Sequence, residues 1–498
     1  MPDDGTNVAR VSEQVPGRTL VLAACLMATF MAAVESTIVA TSIPTVVGEL
    51  GGFDLFSWIF TIYLLTQAVS IPVYGRLADL YGRKPVFFIG AGLFLLGSTL
   101  CGFAWDMPSL VCCRALQGFG AGAIQPIAAT ILGDIYTPTE RAKIQGLVSS
   151  VFGVSAVVGP SLGAFLTEHV SWRSVFWVNL PIGAAAIFMI GRFLHEKIEH
   201  RQHRIDWLGS LLLLIAFGGL MVAMVQGGGM RTSTFWIVLG IGLLATAWLI
   251  VHEATTPEPM LPLELWRIRV IVAGSLGGCG TGATMMGVSA FLPSYVQGAM
   301  GRSALDGGLV LGAMSVSWAL ASILSARIMV RTSYRVVAVL GTIALATGCA
   351  MLTVLTPSDG PLWAAGASFV MGIGMGFANT VFIVSIQASV PWRQRGAATS
   401  SNMFLRFVGQ SAGAAGCGAI LNATMLRMDP SAPAAVDKLM DAASRQAMPA
   451  ATVAHLVDVM AASLHNAYLL ALLFSLITLV VASCIPARLS PRHQTLQK

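Results

Sequence analysis

Apolar residues in this chain run in unbroken blocks instead of alternating with polar ones. About fourteen such blocks follow one another, centred near Met31, Leu65, Leu95, Ala121, Val157, Ala186, Ile215, Leu243, Thr281, Ala319, Ala344, Gly374, Ala412 and Ser475. A helix needs about 20 apolar residues to cross roughly 30 Å of hydrocarbon, so each block predicts one membrane-spanning helix. Short polar turns separate most of them. The expected fold class is therefore all-α, a polytopic membrane protein. The first block is too long for a cleaved signal and lacks its cleavage pattern, which predicts an N-terminus that stays attached.

Composition agrees, with 55% apolar and only 10% charged residues, where a soluble domain carries about 25% charged. The Lys and Arg residues orient the helices, because loops kept on the cytoplasmic side retain them. With the N-terminus inside, the groups Arg76/Arg83/Lys84, Arg192 to Arg204, Arg327 to Arg335 and Arg488 to Lys498 all fall on the inner side. Arg173, Arg231, Arg302, Arg427, Lys438 and Arg445 are left outside. An even number of spans then places both termini in the cytoplasm, with the helices in the cell inner (plasma) membrane. The net charge of +6 is thus a sign of topology, and no clustered basic face predicts a nucleic-acid partner. The eight cysteines are scattered through the apolar blocks without C-x-x-C spacing and read as packing residues.

The chain repeats itself. Gly118, Gly120, Gly122, Gln125 and Arg141 recur as Gly372, Gly374, Gly376, Asn379 and Arg395, all shifted by 254 positions. A shift of eight spans keeps both copies pointing the same way, related by an axis along the membrane normal. The layout this predicts is six, two, six. Residues 1–18 form a cytoplasmic tail, 19–194 a six-helix bundle, and 195–254 a linker with an inserted helix pair. Residues 255–486 form a second six-helix bundle with a long outer loop at 423–463, and 487–498 a cytoplasmic tail. Within that loop, the amphipathic stretch from Ala451 to Leu464 predicts either a helix lying on the membrane surface or a mobile loop.

Ionisable residues inside spans carry the chemistry, since each costs about 2.5 to 3.5 kcal/mol at the bilayer centre. Three qualify: Glu35, Arg114 and Arg406. A carboxyl in a poorly solvated site can take up and release a proton, which makes Glu35 the first choice for proton coupling. Arg114 cannot lose its proton; it can tune a nearby carboxyl or hold a carbonyl. No G-x-x-x-x-G-K-[ST] string predicts a nucleotide site, so a proton gradient is the expected energy source and no cofactor or metal is expected. The eight histidines fall outside the spans or at their edges, leaving a polytopic membrane enzyme as a remote alternative.

Several strings carry a family resemblance. Gly75-Arg76-Leu77-Ala78-Asp79-Leu80-Tyr81-Gly82-Arg83-Lys84 resembles the loop between the second and third spans of major facilitator superfamily carriers. Val34-Glu35-Ser36-Thr37-Ile38-Val39 through Pro44 looks like the first-span signature of the fourteen-span drug:proton antiporters, with Glu35 where an aspartate is usual. Leu110 through Arg114, with Gln117, Gly118, Gly120 and Gly122, is similar to their fourth-span motif, whose arginine is tied to proton coupling. Gly153, Gly159, Pro160 and Gly163 resemble the antiporter motif, Ala164 replacing its last glycine. Trp172 to Gly183 resembles the turn between the fifth and sixth spans. In the second half, Ser325 to Arg331 stands where a second charged loop would be, without its glycine or aspartate.

The resemblance implies a multidrug-efflux type antiporter and not an enzyme. It would export amphipathic organic compounds, drugs or other toxic molecules, in exchange for protons. Gly75, Asp79, Gly82 and Arg83 would form a conformational switch with Asp134 and Arg141. The substrate path is expected near the midplane between the bundles, with Gln67, Gln125, Phe291, Tyr295, Asn379, Asn402 and Arg406 as candidates. Partners are then the small-molecule substrate, protons and the bilayer, with the protein acting as a monomer. An exporter of one metabolite, siderophore or amino acid on the same scaffold is the alternative reading.

Overall fold

The computed structural model describes residues 17–136, 138–196, 206–226, 231–256, 263–390, 395–440 and 442–486. Among them there is no strand. The first long helices are α1 (Arg18–Leu50), α2 (Phe56–Tyr81), α3 (Arg83–Gly102), α4 (Met107–Ile135), α5 (Pro138–His169) and α6 (Asn179–Phe193). They are followed by α7 (Trp207–Gln226) and α8 (Thr232–Thr255). The remainder are α9 (Arg269–Ser289), α10 (Ala304–Arg331), α11 (Tyr334–Thr353), α12 (Pro361–Ala388), α13 (Arg395–Met428) and α14 (Ala450–Ser483).

Among the described residues, eleven helical segments are long and apolar enough to cross a membrane. The long helices outside that set are α5, α7 and α13; α7 contributes a shorter apolar stretch, Leu208–Met224. Helices α5 and α13 are the ones that reach across the molecule, α5 packing on α10 and α13 on α2. Helix α13 is largely buried, whereas α5 also turns Leu147, Val154 and Phe165 outward.

The packing of one half mirrors that of the other. In the first half α3 packs on α4, α2 on α4, α1 on α5 and α6, and α3 on α6. In the second, α11 packs on α12, α10 on α12, α9 on α13 and α14, and α11 on α14. The repeated glycines explain part of this correspondence. Gly118 of α4 meets the backbone of Tyr63 in α2, and Gly372 of α12 meets the backbone of Met314 in α10. Without side chains at these positions the helix backbones come close enough for extensive van der Waals contact, the main attraction available between helices in lipid.

Helices α7 and α8 pair with each other, and α7 leans on α2 and α13 where the halves meet. Asp206 fastens this pair: it accepts from Gly209 N at 2.7 Å and lies 2.8 Å from His252 Nε2 near the end of α8. Outward-turned Trp236, Ile237, Leu244 and Trp248 leave α8 the more exposed partner.

One end of the molecule is closed by bonds between the halves. Leu305 N donates to Glu168 Oε1 at 2.8 Å, Gln297 Nε2 to Thr41 O at 3.2 Å, and Asn422 Nδ2 to Asp54 O at 2.9 Å. Between α13 and α14 lie two short helices, Ala432–Met440 and Ala442–Ala447. From the first, Asp437 accepts from Gly52 N and Phe53 N, each at 3.2 Å. From the second, Arg445 Nη1 donates to Gly298 O at 2.7 Å. The stretch from Ala451 to Leu464 departs from both expectations for it, being the opening turns of α14. Leu456, Val459, Met460 and Leu464 are buried there, so its apolar stripe is taken up by the protein and is not free to lie on a membrane surface.

Candidate functional site

Glu35 and Arg114, 79 positions apart, form a buried ion pair: Arg114 Nη1 donates to Glu35 Oε1, and the two side chains are 0% and 1% exposed. The second carboxylate oxygen accepts from Asn179 Nδ2 of α6 at 2.6 Å. Arg114 Nη1 also donates to Gln117 Oε1 at 2.6 Å, and Arg114 Nε to the Ile59 carbonyl at 3.2 Å. Its guanidinium lies 4.0 Å from the centre of the Tyr63 ring, a cation–π contact worth about 2 kcal/mol when desolvated. Ser98 of α3 joins the set by accepting from Asn179 at 3.0 Å and Gln117 at 3.1 Å while donating to Phe176 O at 2.7 Å.

Five helices of the first half, α1 to α4 and α6, thus supply one polar network around a single carboxylate. Burial of two charges is tolerable only where hydrogen bonds satisfy the remaining polar atoms; here both carboxylate oxygens are satisfied, while Asn179 Oδ1 and Tyr63 OH are buried without a partner. Sequence reading singled out Glu35 and Arg114 by the cost of placing charge in lipid. It missed Ser98 and Tyr63 as members, because an uncharged polar residue in a helix more often bonds its own backbone. The second half lacks the counterpart: Ser368 stands 254 positions after Arg114, buried with its hydroxyl unpartnered.

The glycines of the fifth helix serve α1. Gly163 lies against Ile38 O, and Gly159 against Thr37, with Val34 O 3.4 Å from where its Cβ would be. Val34 is the neighbour of Glu35. On the other side of α5, the Pro160 carbonyl oxygen faces Gly308 of α10 in the second half. The surroundings of Gly153 lie outside the described residues.

At the turn between α2 and α3, Gly82 has φ 90°, a left-handed value that favours glycine. Arg83 Nε lies 3.0 Å from Asp134 Oδ2, the pairing expected from the sequence. An unforeseen partner is Glu196, whose carboxylate accepts from Arg83 N at 2.8 Å and Lys84 N at 3.1 Å and so caps α3. Lys84 Nζ in turn donates to Gly191 O at 2.6 Å and Leu194 O at 3.1 Å, closing the end of α6. Glu196 was legible only as an acid within a basic linker. Gly75 stands in open space, so steric fit does not require its glycine. The Asp79 and Arg141 side chains lie outside the described residues.

The candidate substrate residues divide. Tyr295 OH donates to Leu355 O at 2.9 Å and Asn402 Nδ2 to Gly274 O at 3.0 Å, so both tie helices together. Phe291 packs on Phe56, ring centres 5.0 Å apart, across the halves. Gln67 is buried on α2. Gln125 Oε1, Asn379 Nδ2 and Arg406 Nε are buried without a hydrogen-bond partner.

Comparison with known proteins agrees with this architecture. The family model described as Major Facilitator Superfamily matches residues 25–414. Multidrug resistance protein 3 of Bacillus subtilis (strain 168) is 32% identical over 466 residues, covering 90% of this chain and 91% of that protein. Multidrug transporter protein MdtP of the same organism is 32% identical over 409 residues, covering 82% and 76%. In fold, the chain is similar to an inward-facing, unoccupied structure of a bacterial homologue of the human lysosomal transporter Spinster. The TM-score is 0.64 at 17% identity, over 96% of this chain and 99% of that one. Matched by the family model from its first helix into its thirteenth, the chain belongs to the Major Facilitator Superfamily of membrane transporters.

Proposed function

We propose that this transporter exports amphipathic organic compounds, drugs or other toxic molecules, in exchange for protons, without a cofactor and without chemical change to its cargo. The observation that carries the reading is the Glu35 carboxylate, fully buried and held from both sides by Arg114 and Asn179. A proton arriving on Glu35 cancels the charge that those donors hold and frees α1 from α4 and α6. Only a ligand with different affinity for two states can shift their balance, and a proton on this carboxyl has that property. The route from proton to movement is short. Val34 and Thr37 flank Glu35 and abut Gly159 of α5, while the neighbouring Pro160 carbonyl abuts Gly308 of the other half.

The mirrored packing supports a fourteen-span, six-two-six layout, with α7 and α8 as the insertion and α5, α7 and α13 counted as spans. The Arg83 to Lys84 turn is then cytoplasmic and the closed end external, in a cell inner membrane with both termini inside. The charged turn acts as the switch, and a monomer is the working unit. The names of the two Bacillus relatives support a broad substrate range.

The test is flux in proteoliposomes carrying an imposed proton gradient. Glu35→Gln keeps the shape of the side chain and cannot titrate. Gradient-driven export is expected to fall to background in this variant while the protein elutes as wild type does. Undiminished export by Glu35→Gln overturns the reading.

A further inference from the structure

Arg406 is the third ionisable residue that sequence reading placed within the helices, and it differs from Glu35 and Arg114. Among the described residues no carboxylate pairs with it, and its Nε is buried with no acceptor. Its guanidinium lies 5.4 Å from the centre of the Phe407 ring. The Arg406 backbone rests against Gly282 of α9. The preceding residue, Thr281, donates to Asn379 Oδ1 of α12 at 3.1 Å. That bond uses the amide oxygen alone, and Asn379 Nδ2 is left buried without an acceptor.

Two donors lacking acceptors, one of them permanently charged, therefore flank the same turn of α9 on helices that pack together. Buried donors in proteins are normally bonded, and Arg406, only partly buried as a residue, keeps its charge within reach of a ligand. An acceptor carrying negative charge would satisfy both donors. Glu35, the acid that would draw a cation, is already engaged by Arg114 and Asn179.

We propose that the substrates of this transporter include amphipathic organic anions, whose carboxylate or comparable acid group is held by Arg406 and Asn379. This rests on the export reading above and names the class of compound it serves. A planar guanidinium matches a carboxylate with two parallel bonds, which a Lys ammonium cannot reproduce.

The experiment measures binding to the purified full-length protein by calorimetry, without any gradient. The probes are 1-naphthylacetate, its methyl ester and 1-naphthylmethylamine, which share one apolar body and differ in charge. Wild type is expected to bind the carboxylate about ten- to a hundredfold more tightly than the ester, the range of one charge-assisted hydrogen bond. Arg406→Met is expected to lose that preference, and Arg406→Lys to keep part of it. Equal or tighter binding of the amine or ester by wild type overturns the proposal, as does absence of carboxylate binding or wild-type carboxylate affinity in Arg406→Met. Elution and melting temperature matching wild type report that the variants are folded. Failure here leaves proton exchange untouched, since that is judged by flux through Glu35→Gln.

Discussion

The carbonyl oxygen of Pro160 faces Gly308 so closely that a Cβ at residue 308 would stand 2.8 Å from it. Proline at 160 also removes one backbone donor from α5, so two local irregularities meet where the halves touch. Overfilling such a contact typically costs about 1–3 kcal/mol. Gly308→Leu is expected to force α5 and α10 apart, lower the melting temperature and let protons leak through the protein. A trapped pH dye in proteoliposomes measures this, and a leak equal to wild type with full transport would show that the contact seals nothing.

The Glu35–Arg114 pair makes a prediction about stability. Removing one partner of a buried pair strands the other charge, at a cost of about 3–5 kcal/mol. Arg114→Met, which strands the carboxylate, should destabilise strongly, and Glu35→Gln, which still offers Arg114 an amide oxygen, should destabilise less while remaining folded. The double variant should lose much less than the combined single losses, since nothing is left stranded. Thermal unfolding of the four proteins in detergent closes the cycle. Additive losses would mean that the two side chains do not interact energetically.

The blocks of apolar residues were legible because lipid leaves the backbone no alternative to helices of a set length. Among the described residues, eleven helical segments meet that demand on their own. Helices α5 and α13, marked in the sequence by the blocks around Val157 and Ala412, fall outside that set, their Gly, Ser and Gln residues diluting the apolar run. The site was half legible. A charge in lipid is costly, which marks Glu35, Arg114 and Arg406 in any reading. Nothing local shows that Glu35 meets Arg114 while Arg406 meets no acid, because that depends on which helices become neighbours. Tyr295 and Asn402 were chosen on the same polar grounds as Asn379 and bond backbone carbonyls instead. The amphipathic run after Pro449 was read by its periodicity; its partner surface, the short helix Ala432–Met440, could not be seen in the sequence.

Asp437 links pH to the closed end. Burial between the halves raises its carboxyl above the ordinary value of 3.8, against the pull of the Gly52 and Phe53 amides, and nearby Asp54 raises it further. A folded state that binds the proton more tightly gains stability from this group below about 3.8 and loses it as pH rises through the folded value. Asp437→Asn cannot acquire the charge. Its melting temperature relative to wild type should therefore climb as pH is raised from 4 toward neutrality, then level off. A difference that shrinks with rising pH would show that the two amides, and not burial, dominate at this carboxyl.

Glu196 tests whether the turn after α2 is held from outside the Gly75 to Lys84 string itself. Its two oxygens accept from the first two amides of α3, and one of them also lies 3.7 Å from Arg83 Nη1. The first amides of a helix have no partner within it, so a carboxylate here satisfies donors and meets the positive end of the helix dipole. Glu196→Ala should cost about 1 kcal/mol, as loss of a cap does, and Glu196→Gln less, since one acceptor remains. Hydrogen exchange at residues 83 to 86 reports on the cap directly. Faster exchange confined to those amides is the expected result for Glu196→Ala, and unchanged protection would assign the order of this turn to Asp134 and Lys84 alone.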